Sequence, residues 1–145
     1  VSVKNLLKEV IDTKVLISII IGKKLREILF HLKKDRFESI FSDETFSAFL
    51  YVLKKPKFSR YFSASDMLEF IELLKLRSRF VYSVDKMNLC HDPKDNKFLE
   101  CALASRADFI ISGDPGLLAL HPFRNIPIIN AKEFILKSNS GFNNL

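Results

Sequence analysis

The sequence predicts a three-layer α/β/α domain with a central, largely parallel sheet, and three observations carry that reading. Short runs rich in β-branched and aromatic residues, at 10–11, 37–41, 79–84, 109–112 and 128–129, alternate with longer stretches of helical character, the order expected of strands joined by crossover helices. The chain has 145 residues, 48% of them hydrophobic, enough for one domain with a substantial core. Turn-forming and capping residues fall at the transitions, with no internal repeat and no linker between two units. One domain over residues 1–137 and a flexible tail over 138–145 are therefore expected.

Each element has a local reason. Val10 and Ile11 end a short buried strand, Asp12 stands at its edge, and a helical run begins near Val15. Gly22 interrupts that run before a basic helix over residues 23–32. After the strand at 37–41, Ser42 is placed to cap a helix through Leu53, and Pro56 marks that helix's end. Ser63 and Ser65 are candidate caps for a helix over 64–76, with Met67, Leu68, Ile71, Leu74 and Leu76 as its apolar stripe. Asp92 followed by Pro93 reads as a helix start, because proline is tolerated at the first helical position. Asp95 falls in the opening turn, and Phe98, Leu99, Ala102 and Leu103 supply the buried face. The strand at 109–112 breaks at Gly113-Asp114-Pro115-Gly116, a brief helix follows at 117–120, and a last strand and small helix occupy 128–129 and 131–136.

Composition excludes several classes. Charged residues interrupt every apolar run before membrane-spanning length, and fourteen Phe with four Gly argue against a disordered or fibrous chain. The opening VSVKNLLKEV has neither a sustained apolar segment nor a cleavage-site pattern, so a soluble, cytoplasmic protein with no membrane association is expected. Two cysteines, Cys90 and Cys101, make no disulfide framework and are read as reduced. With His91 and His121 they lack the compact spacing of structural zinc. No Gly-rich nucleotide loop is present.

Charge is distributed unevenly. Residues 1–84 hold 16 Lys and Arg against 10 Asp and Glu, and residues 85–145 hold 7 against 7, so the net charge of +6 lies in the first part. Clusters at Lys23, Lys24 and Arg26, and at Lys54, Lys55, Lys57 and Arg60, are candidate contacts for an RNA backbone. Phe58, Tyr61 and Phe62 lie beside the second cluster, where they serve either base stacking or packing.

Against that basic background, acidic residues gather at strand ends. Ligands of parallel sheets collect outside the carboxyl ends of the strands, which lets Asp12, Asp92, Asp95 and Asp114 converge. Packed carboxylates repel one another and need cations or protons. Mg²⁺ or Mn²⁺ suits oxygen ligands and can activate water against a phosphodiester. Each residue also has a plainer reading: Asp12 and Asp92 as helix caps, Asp95 as a first-turn carboxylate, Asp114 as a turn residue.

Residues 10–136 resemble the PIN-domain family, particularly its compact bacterial and archaeal toxin components of toxin–antitoxin systems. VIDTKVLIS is similar to the family's VIDTNVLIS, VLKKPKF to its central run, and DPKDNKFLECALASRADFIISGD to its long C-terminal signature. The resemblance implies a metal-dependent endoribonuclease, usually a homodimer and often held by a small protein antitoxin. It places Asp12, Asp95 and Asp114 at the family's acidic metal site with Asp92 nearby, and gives Thr13 and Ser112 supporting roles. Two positions depart from it. Lys14 replaces the family's Asn, setting beside the site a cation that either contacts RNA phosphate or neutralises the carboxylates without metal, and Ala48 stands where an acid is expected. Glu44, one helical turn earlier, is the candidate substitute. These departures favour an alternative, a PIN-like RNA- or protein-binding module with weak or lost catalysis.

Overall fold

The computed structural model describes residues 6–22, 37–83 and 85–139. Its elements, in order, are β1 (Leu7–Ile11), α1 (Thr13–Gly22), β2 (Phe37–Phe41), α2 (Asp43–Leu53), a 3₁₀ turn (Pro56–Phe58), α3 (Ala64–Arg77), β3 (Arg79–Phe80), a second 3₁₀ turn (Pro93–Asp95), α4 (Asn96–Ser105), β4 (Phe109–Ile111), α5 (Pro115–Leu118), β5 (Ile128–Ile129) and α6 (Ala131–Asn139). The expected basic helix at 23–32, with Lys23, Lys24 and Arg26, lies outside the described residues.

The strands form one sheet in the order β3-β2-β1-β4-β5, and every adjoining pair is parallel. The chain builds outward from β1 on one side, then crosses back to build outward on the other. The carboxyl ends of β1 and β4, paired through Ile11 and Ile111, therefore flank the point where strand order reverses.

Alternation along the strands sorts the core into layers. Val10, Ile40, Ile110 and Ile128 point to one face and pack with Phe98, Leu99, Cys101 and Ala102 of α4. Phe109, Ile111 and Ile129 point to the other, against Val15 of α1 and Phe134 of α6. A third cluster joins Leu16, Ile17 and Ile20 of α1 to Phe46, Phe49 and Leu53 of α2 and Phe70, Ile71 and Leu74 of α3. This is the three-layer α/β/α arrangement the sequence predicts.

The α2 start follows the expected chemistry. Ser42 is the N-cap: its Oγ accepts from the Thr45 N–H at 3.2 Å, while the Ser42 N–H donates to Thr45 Oγ1 at 2.9 Å. Threonine thus takes the part that Glu or Gln usually plays in this reciprocal cap. Because Ser42 is buried, Ser42→Ala should cost about 1–2 kcal/mol, read as a lower urea midpoint with unchanged slope. An unchanged midpoint would show that the cap carries no such weight.

Several details differ from expectation. In α3 the inward stripe is Phe70, Ile71 and Leu74, with Met67 partly buried beside them in the i, i+3, i+4, i+7 series, whereas Leu68 and Leu76 are exposed. β3 stops at Phe80 because its partner β2 ends at Phe41, whose carbonyl still accepts from the Val81 N–H at 2.9 Å. The brief helix begins at Pro115, earlier than expected, since Asp114 caps it and proline suits the first turn. The last helix runs on to Asn139.

Candidate functional site

Asp12 follows β1 directly and is almost wholly buried. Its backbone N–H donates to the Ile111 carbonyl at 2.9 Å, which continues the β1–β4 ladder by one residue and aims the side chain across the strand ends. Both carboxylate oxygens have protein donors: the Lys14 N–H reaches Oδ1 at 2.7 Å and the Ser112 hydroxyl reaches Oδ2 at 2.6 Å. Ser112 in turn accepts from the Asp114 N–H at 3.0 Å, so one hydroxyl links the two acidic strand ends.

Asp114 caps α5, its Oδ2 accepting from the Leu117 N–H at 3.2 Å. Asp92 caps the 3₁₀ turn before α4, its Oδ1 accepting from the Lys94 N–H at 3.0 Å. Asp95 ends that turn and stands immediately before α4. Burial raises its carboxyl pKa first, then the charges of Asp114, Asp92 and Asp12, then a hydrogen bond with the Asp114 carboxyl. Four carboxylates therefore share one electrostatic environment, and it raises the Asp95 carboxyl pKa. Cys90 adjoins the same field: burial, then Asp95, Asp114 and Asp92, push its thiol up to about 11.

The remaining expected site residues take different positions. Lys14 contributes its backbone N–H to Asp12, but its side chain is exposed and, among the described residues, pairs with none of these carboxylates. The Thr13 hydroxyl is buried with no hydrogen-bond partner among the described residues. Ala48 lies half-buried on α2. Glu44 turns to Lys86, whose ammonium lies 4.0 Å from it and 3.8 Å from Glu100. Lys54, Lys55, Lys57 and Arg60 are exposed beyond the far end of α2.

Two residues that shape this region carried no signal read from the sequence. Asn96 Oδ1 accepts from the Leu89 and Cys90 N–H groups at 3.1 and 3.0 Å, and its amide donates to the Pro93 carbonyl at 3.2 Å. Glu100, one helical turn on, accepts from the Met87 N–H at 3.0 Å. Together they tie the loop before Asp92 to α4. Their i, i+4 spacing on a helix face was the available clue.

The donor set can be tested against a divalent ion. Among the described residues, no three His, Cys, Asp or Glu side chains are placed to hold a metal together. Asp12 accepts a protein hydrogen bond at each oxygen, Asp92 and Asp114 each accept one at a cap, and each of these oxygens keeps a further lone pair. Among the described residues the carboxylates share a field without forming a three-ligand cluster.

The parallel sheet with acidic groups at its strand-order reversal defines an α/β/α domain whose ligands are expected at that edge. The PIN-domain profile matches residues 8–115, and the chain belongs to the PIN-domain family. No curated protein matches it. Among solved structures, the crystal structure of PAE2754 from Pyrobaculum aerophilum is similar with a TM-score of 0.57 and 11% identity, over 92% of this chain and 90% of that one. That likeness is one of fold. Among the described residues, no helix is long and apolar enough to cross a membrane.

Proposed function

We propose that the protein is an RNA-binding PIN domain whose metal-dependent phosphodiester cleavage is weakened or lost. The observation that carries this reading is the depleted donor set: no three ligating side chains are placed together among the described residues, and alanine occupies position 48. Exposed cations at Lys54, Lys55, Lys57 and Arg60 remain available to phosphates whether or not a metal binds.

The test separates binding from chemistry. RNA should bind in EDTA, while Mn²⁺ binds poorly by calorimetry and supports little internal cleavage. Whatever Mn²⁺ binding exists should strengthen as pH rises from the acidic range, because burial and the neighbouring carboxylates raise the Asp95 pKa and a metal competes with its proton. Tight Mn²⁺ binding, with cleavage that disappears in Asp12→Ala and Asp95→Ala, would instead establish a second reading: an active metal-dependent endoribonuclease. The shared electrostatic environment of Asp12, Asp92, Asp95 and Asp114 favours that second reading. Under it, Asp12 and Asp95 would bind metal, and Asp114 would orient water. Assignment as the toxin of a toxin–antitoxin pair would then call for a small protein antitoxin that co-purifies. Homodimerisation is checked by light scattering.

A further inference from the structure

The corner where α2 ends is chemically distinct from the acidic strand ends. From Thr45 to Ser65 the chain contains no Asp or Glu, but it carries Lys54, Lys55, Lys57 and Arg60. It winds there through close turns: the Lys55 N–H donates to the Val52 carbonyl, Phe58 to Lys55, Ser59 to Pro56, and Tyr61 to Phe58, at 3.0–3.1 Å. Those turns hold the four cations close along the chain, and among the described residues none of them forms an ion pair.

The aromatics of this segment divide by burial. Phe58 is buried and belongs to the cluster formed by α1, α2 and α3, and Phe62 is partly buried against it. Packing accounts for both. It does not account for Tyr51, 72% exposed, and accounts for only part of Tyr61, whose ring lies 6.5 Å from that of Phe58 and 6.4 Å from that of Phe62 yet stays 46% exposed. Each exposed ring has a cation over it: Lys55 Nζ lies 5.5 Å from the Tyr51 centroid, and Arg60 Cζ lies 5.4 Å from that of Tyr61. Both distances fall within cation–π range. The cations help orient the rings while their charge remains open to solvent.

We infer that Tyr51 and Tyr61, with Lys54, Lys55, Lys57 and Arg60, form a base-stacking surface for single-stranded RNA, separate from the carboxylate site. Bases of a duplex are already stacked, so exposed tyrosine faces are useful to unpaired bases, and the surrounding cations meet the phosphates. Stacking tolerates any base, so this surface selects strandedness over sequence. Its position supports a separate role. The eleven residues of α2 span about 16 Å, and Ser42, at the helix start, directly follows the carboxyl end of β2. RNA gripped here would be held one helix length from that edge of the sheet. This inference rests on the RNA-binding reading and adds a location and a preference for single strands.

Anisotropy titrations of the full chain, in EDTA, with labelled twelve-nucleotide oligouridylate and oligoadenylate provide the test. Tyr51→Ala and Tyr61→Ala should each weaken binding at least about fivefold, since a stacked base is worth roughly 1–3 kcal/mol. Tyr51→Phe and Tyr61→Phe should stay near wild type, because the ring face and not the hydroxyl stacks. If all four cations meet phosphates, the slope of log affinity against log salt should approach about −2.8. The inference is overturned if the alanine variants bind like wild type, or if duplex RNA or polyglutamate of similar length binds as tightly as the single strands. Tyrosine-insensitive binding by a wild-type protein that does hold RNA overturns the stacking surface alone. No RNA binding by wild type overturns the RNA-binding reading as well.

Discussion

Ala48→Glu should tighten Mn²⁺ binding by about 10–100-fold, the range by which a single supporting partner changes metal affinity. Position 48 is where PIN-family resemblance leads one to expect an acid, and Glu44, one turn earlier, pairs with Lys86. A glutamate on α2 would add an oxygen donor where the arrangement is short of donors. It would also add negative charge to a field that already raises the Asp95 carboxyl pKa, so the gain should be greatest at the higher end of the pH range. Calorimetry with Mn²⁺ on wild type, Ala48→Glu and the neutral control Ala48→Gln reads this directly. Equal affinities for the glutamate and glutamine variants would mean that position 48 does not face the carboxylates, and the depleted-site account would lose its main support.

Glu9→Gln carries the second large effect, on stability. Glu9 lies in the middle of the central strand, opposite Ser39 of β2, and on the apolar face shared by Leu7 and Ile11. It accepts one hydrogen bond, from the Ser39 hydroxyl at 3.2 Å, and its Oε2 has no partner among the described residues. Burial raises its pKa from 4.5 to about 7 against the smaller lowering by Ser39. Because the folded chain binds this proton more tightly than the unfolded chain, the stabilisation is fully present below about 4.5 and is lost as pH rises to about 7. At 1.36 kcal/mol per unit the loss is roughly 3 kcal/mol. Glutamine keeps the shape and removes the titration. Urea unfolding of both proteins from pH 5 to 8.5 should show wild type falling steadily below Glu9→Gln, with most of that difference developed by neutral pH. Parallel curves across that range would show that Glu9 ionises without cost where it stands.

Much of the fold was legible because its cues are local. Ser42 as a cap, proline after Asp92 and Asp114, and short apolar runs between helices each act within a few residues, through backbone hydrogen bonds and steric limits. The α3 face was misread for a related reason. Met67 and Leu68 are equally apolar, and only the added burial of Phe70 determines which side of the helix turns inward.

The candidate site divides along the same line. The sequence by itself determined which carboxylates exist, that Asp12 and Asp114 lie at strand ends, and that Lys14 and Ala48 depart from the family pattern. Tertiary structure alone decided what those groups touch. Ser112 donating to Asp12 across β1 and β4, the Asp95 carboxyl lying in the field of Asp114 and Asp12, and Glu44 turning to Lys86 all depend on separations that no local pattern encodes. The same holds for Glu9, which reads as one residue of an alternating strand. Its cost arises because helices cover that face of the sheet, and desolvation is a property of the closed core.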